Sequence, residues 1–185
     1  MGNKRTVEIY AEPDAQKEEG YRFWMKENGS ETKMLTFNKF TDNIKKSTNY
    51  SVEFILKNMG PKKDNLRFSK VKNTVLWAKN INDVNDPCPK TACYMGGVFY
   101  VDPNVPIEDN KLTVVNVDPS VQLFAFGLNF LRPGQSDGPN TDYAYYDPVG
   151  SNQNGGETFQ FDTLTVAGVV TGVALVAFLA FRAWA

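Results

Sequence analysis

The chain has 185 residues, a formal net charge of -1, a pI near 5.6 and no histidine. That balance supplies no overall cationic field, which disfavours a general nucleic-acid binder and leaves any basic contact to be local. Without imidazole the chain lacks the side chain that titrates unaided near neutrality and the commonest metal ligand, so no metal set is expected and acid–base chemistry falls to carboxylates alone.

Aromatic residues make up 13% of the chain. Runs of β-branched and aromatic residues alternate with Gly, Pro and Asn, and no long 3.6-residue periodicity precedes the C-terminal tail. Strands are expected, in chain order, over 5–11, 21–26, 33–37, 51–56, 74–79, 98–101, 112–117, 121–131 and 143–146. Two of these alternate as half-buried strands do: Val7, Ile9 and Ala11 against Thr6, Glu8 and Tyr10, and Val52, Phe54 and Leu56 against Ser51, Glu53 and Ile55. That many short strands imply two packed sheets, so the expected fold class is mainly β, an antiparallel β-sandwich over residues 1–150.

Asp-Pro recurs at 86–87, 102–103, 118–119 and 147–148. Asp bonds to backbone amides two residues on while Pro fixes φ and donates nothing, so each pair reads as a strand end. Residues 121–131 are apolar on both faces, which places them at the centre of the sandwich or under another protein. The tyrosines of DYAYYDP, 142–148, read as a core edge with hydroxyls reaching solvent.

Between Lys57 and Lys79 the chain carries Lys57, Lys62, Lys63, Arg67, Lys70, Lys72 and Lys79 against Asp64 alone. One reading is a solvated hairpin whose lysines protect an exposed edge. The other is contact of Lys62, Lys63, Arg67, Lys70 and Lys72 with anionic lipid headgroups, worth roughly 1 kcal/mol for each basic residue held near the surface. Cys88 and Cys93, separated by Pro-Lys-Thr-Ala, either close a small disulfide loop or stay as two thiols, and a lone C-x4-C lacks the second half of a zinc site.

The amide- and Gly-rich stretch that begins at 151 reads as a flexible linker over 151–162. From Leu164 to Phe181 there are eighteen residues without a charge, followed by Arg182 and Trp184. About 20 helical residues cross the roughly 30 Å hydrocarbon layer, so residues 163–185 are expected to form one transmembrane helix. Arg182 and Trp184 suit the membrane interface, where the guanidinium reaches outward and the indole sits among headgroups. Gly168 and Gly172 form a G-x-x-x-G step flanked by Ala167 and Thr171, a small-residue face for packing against a second helix. No apolar h-region opens the sequence, so a single-pass membrane protein with a cytoplasmic body is expected.

The stretch LFAFGLNFL at 123–131, followed by YAYYDPVGSNQNGG at 143–156, resembles the end of bacterial AidA/PixA-type inclusion-body β-sandwich proteins. The resemblance implies a fold and carries over no functional residue. Taken together, these features point to a non-catalytic accessory or structural subunit, anchored by its C-terminal helix and stabilising a larger membrane complex, such as a photosynthetic reaction centre with its light-harvesting ring or a respiratory assembly. Its expected partners are membrane lipids and other transmembrane subunits, and any pigment or lipid cofactor would belong to the host complex. The alternative is a minor capsid or membrane-linking protein of a virus with an internal membrane. A carboxylate-dependent hydrolase ranks last.

Overall fold

The structure, a computed structural model, describes residues 3–39, 41–45, 47–81, 98–118, 122–138 and 140–153. Two sheets share one core. The first runs in the order β3 (Ser30–Thr32), β2 (Tyr21–Glu27), β1 (Lys4–Pro13), β5 (Tyr50–Asn58), β9 (Lys111–Asn116), β8 (Phe99–Val101). The second is built around β10 (Gln122–Leu131). Along one edge of β10 lie β6 (Arg67–Phe68) and, after a short helix α1 (Lys72–Val75), β7 (Leu76–Ile81). Along the other lie β11 (Ala144–Tyr146) and β12 (Val149–Asn152), with β4 (Met34–Phe37) beyond β12.

The sheets are mixed, which corrects the expected antiparallel sandwich. β1 pairs parallel with β5, and β4 pairs parallel with β12. The reason is the path of the chain. After β3 it crosses to the second sheet as β4 and returns beside β1 as β5, and a crossover of that length delivers a strand in the same direction as its neighbour. The body also runs past residue 150, because Ser151 and Asn152 are buried positions of β12 and not the start of a linker.

Alternation decides which side chains face inward. Val7, Ile9 and Ala11 of β1 and Val52, Phe54 and Leu56 of β5 are buried, while their neighbours are half-buried or, at Thr6, exposed. On β10 both faces are covered, as its unbroken apolar run predicts for a central strand. The core is largely phenylalanine: Phe37, Phe54, Phe68, Phe99, Phe124, Phe126 and Phe130 are fully buried. Each contributes about 1.5–3 kcal/mol by burial, and rings meet across the sheets at Phe54–Phe126, Phe99–Phe124 and Phe23–Phe130 with centroids 5.8, 5.1 and 5.4 Å apart.

Gly127 of β10 is required by packing. Trp77 and Tyr145 stack with centroids 4.8 Å apart beside it, and a Cβ there would meet their rings at 2.6 and 2.5 Å.

Strand directions give the body two ends. Lys4, Glu27, Phe37, Tyr50, Ile81, Asn116, Gln122 and Asn152 lie at one end, and Pro13, Asn58, Arg67, Lys111, Leu131 and Ala144 at the other. The described chain leaves the body at the first, where the Gln153 amide donates to the Phe37 carbonyl at 2.7 Å. We call it the exit end and the opposite one the far end. The nine residues of β5 separate them by about 30 Å.

No helix among the described residues is long and apolar enough to cross a membrane.

Candidate functional site

Most of the buried polar residues collect at the exit end. Asn38, Lys39, Asn116, Asp118, Ser151 and Asn152 are all at most 6% exposed. They come from the segment after β4, the end of β9 and the end of β12, which strand pairing brings side by side. Asn116 donates through Nδ2 to Asn152 Oδ1 at 2.7 Å and accepts the Asp118 amide on Oδ1 at 2.9 Å. Lys39 Nζ donates to the Val117 carbonyl at 2.6 Å.

Asp118 is the unusual member. Its φ of +46° is left-handed, a conformation that Asp tolerates better than most residues. It is 1% exposed, and neither carboxylate oxygen has a hydrogen-bond partner among the described residues. Burial pushes its pKa from 3.8 up to about 6; Lys39 pulls it partly back, and the charge of Asp42 adds to the rise. Asp42 in turn accepts the Tyr50 hydroxyl at 2.7 Å, and burial together with that bond raises the pKa of the phenol.

Beside this cluster an open cleft of about 530 Å³ is lined by Lys4, Arg5, Thr6, Glu27, Asn28, Thr36 and Asp42. Arg5 gives it a cationic wall, but three of its five N–H donors are committed. Nε and Nη2 hold both Glu27 oxygens at 2.6 and 2.5 Å, Nη1 holds the Thr36 carbonyl at 2.5 Å, and the guanidinium lies 4.5 Å from the Phe37 ring centre. The pair joins β1 to β2, and the carbonyl bond joins the first sheet to the second. Arg5 therefore acts as a pin between sheets. Among the described residues no group of three or more His, Cys, Asp or Glu side chains is placed to hold a metal.

Apart from Lys79, which lies beside Ala125 toward the exit end of β7, the basic segment lies at the far end and is divided among partners. Lys57 pairs with Glu8 at 3.3 Å and Lys70 with Asp109 at 2.7 Å. Arg67, at the start of β6, donates to the Gln135 carbonyl, and Lys72 donates to the Pro103 carbonyl at 3.1 Å. Lys62 and Lys63 stand exposed on a 3-10 turn over Lys62–Asp64. Most of the positive charge that looked unopposed along the chain is thus met by acids and carbonyls distant in sequence. Asp137 completes this end: it accepts bonds from the Ser69 hydroxyl, the Lys70 amide at 2.9 Å and the Tyr143 hydroxyl at 3.1 Å. Burial alone would raise its pKa; those three bonds hold it below the ordinary value.

The other positions singled out in the sequence, Cys88 and Cys93, Ala167, Gly168, Thr171 and Gly172, and Arg182 and Trp184, lie outside the described residues. Sequence reasoning missed the Asp118 cluster. Its only local trace was the Asp-Pro pair at 118–119, which reads as a strand end.

No protein-family model matches the chain, and a search of curated proteins finds no match either.

Proposed function

We propose that the protein is a non-catalytic structural subunit, tethered to a membrane by residues 164–181 and bracing a larger membrane assembly with its β body. The observation that carries this reading is the run of eighteen uncharged residues, long enough to span hydrocarbon, that follows a body closed by β12. The position of the exit point supports an orientation in which the Asn38–Asn116–Asn152 end faces the lipid. Lys62 and Lys63 then point away from it, about 30 Å off. The cross-sheet bonds of Arg5 and the enclosure of Asp118 favour a structural over a chemical role for these polar residues.

Gly168 and Gly172 are read as the contact with a partner helix. Expressed in its own host, the full chain should pellet with membranes, resist an alkaline carbonate wash and co-purify with partner subunits in mild detergent. Gly168→Leu or Gly172→Leu should lose the partners and keep the membrane. A chain that fractionates with soluble protein contradicts the tether; unchanged co-purification of both variants contradicts the helix contact.

A further inference from the structure

The outer face of the second sheet carries side chains that a single sheet cannot cover by itself. Leu123, Ala125, Trp77, Ile81 and Ser151 point to this face and are 8, 2, 3, 7 and 1% exposed. Every residue of the apolar cluster there belongs to the second sheet. Neighbours within a sheet shield the flanks of a side chain and leave its top open, and the Trp77 ring is stacked by Tyr145 of the same sheet. The described elements supply no layer above.

The chain leaves the body at the edge of this same face, where Ser151 lies opposite Leu123 and Asn152 opposite Gln122. Beyond Gln153 come the mostly polar residues 154–162, and then the uncharged run 164–181. Nine residues reach up to about 30 Å when extended, enough to turn back over the sheet. As a helix the eighteen residues would measure about 27 Å, close to the length of the ten-residue β10. The 82–97 connection, by contrast, is interrupted by Asp83, Asp86 and Lys90.

We propose that residues 164–181 pack on the outer face of the second sheet while the chain is free of membrane, and leave it on entering a bilayer. The segment has two apolar environments to choose between, the Trp77–Leu123 face and lipid. Docking shields both the segment and the sheet from water until a membrane competes for the segment. The second of these states rests on the tether proposed above; the first does not.

The test uses the full chain, made by cell-free synthesis without membranes. The photo-crosslinker benzoylphenylalanine is placed at position 79 or 149, two half-buried sites that flank Ala125 on this face. Irradiation should link both positions to peptides within 164–181, and vesicles of phosphatidylethanolamine and phosphatidylglycerol should abolish the link. Ala174→Glu, which lies outside the described body, should abolish it without vesicles and leave the unfolding of the body unchanged. Links to 82–97, to a second copy or to nothing overturn the docking. Links that persist in vesicles support the docking and overturn the tether.

Discussion

Each end of the body encloses a carboxylate, wholly at Asp118 and in part at Asp137, and the two respond in opposite directions. At the far end Asp137 accepts three hydrogen bonds and titrates below its ordinary value. At the exit end Asp118 is more deeply enclosed, accepts none from the described residues, and titrates near 6. Loss of water raises both, less so for the half-buried Asp137, and the bonds to its lone pairs turn its shift downward. The far end is fastened by bonds made to a charge. The exit end holds a charge that Lys39 offsets only in part.

The largest effect should fall between the ends, where both sheets depend on β10. Gly127→Val pushes new atoms into the Trp77–Tyr145 stack and should cost about 3–4 kcal/mol, as overpacking plus a lost ring pair. Urea unfolding measures it, and a cost under about 1 kcal/mol would mean that the stack relaxes freely. Next, Asp137→Ala strands the buried Ser69 hydroxyl and removes three bonds at the far end, for about 2–3 kcal/mol.

The exit end should behave in reverse. Because the pKa of Asp118 is raised on folding, its contribution to stability is complete below about 3.8 and is lost as pH rises through about 6. Asp118→Asn keeps a residue that tolerates the left-handed backbone and removes the buried charge. It should stabilise the protein at pH 7–8 by about 1–3 kcal/mol and flatten the pH dependence between 4 and 7. For Asp137 the sign is opposite: its lowered pKa gives stability that is present above 3.8 and fades as pH falls through the folded value. Unfolding free energies of both variants across pH 3–8 check the pair, and parallel slopes would contradict the contrast. The smallest effect belongs to Lys62→Glu with Lys63→Glu. Exposed and remote from the exit, these should shift stability by less than about 0.5 kcal/mol and leave vesicle binding unchanged.

The strands were mostly legible because burial follows alternation. All nine expected segments overlap observed strands, and 121–131 is the central strand that its two-sided apolar character required. Three strands were not legible. β3 and β6 are too short to show a period. β12 is rich in Gly, Ser and Asn, a composition that reads as linker, and it is buried through pairing with β10 and β4 and the Asn116–Asn152 bond. Parallel pairing was invisible because direction is set by the chain's path between sheets, for which alternation carries no signal. The exit-end cluster was hidden for a related reason: Lys39, Asp118 and Asn152 meet only after three distant segments fold. The basic segment looked unopposed for the same reason, since a count along the chain cannot see Glu8 or Asp109.

Which end faces lipid is the point on which this account turns. A fluorescent amino acid placed at position 28, on the exit-end β2–β3 turn, or at position 62, at the far end, reports it directly when the full chain sits in vesicles containing headgroup-quencher lipid. The account predicts strong quenching at 28 and little at 62. Equal quenching at both sites, or stronger quenching at 62, would contradict it.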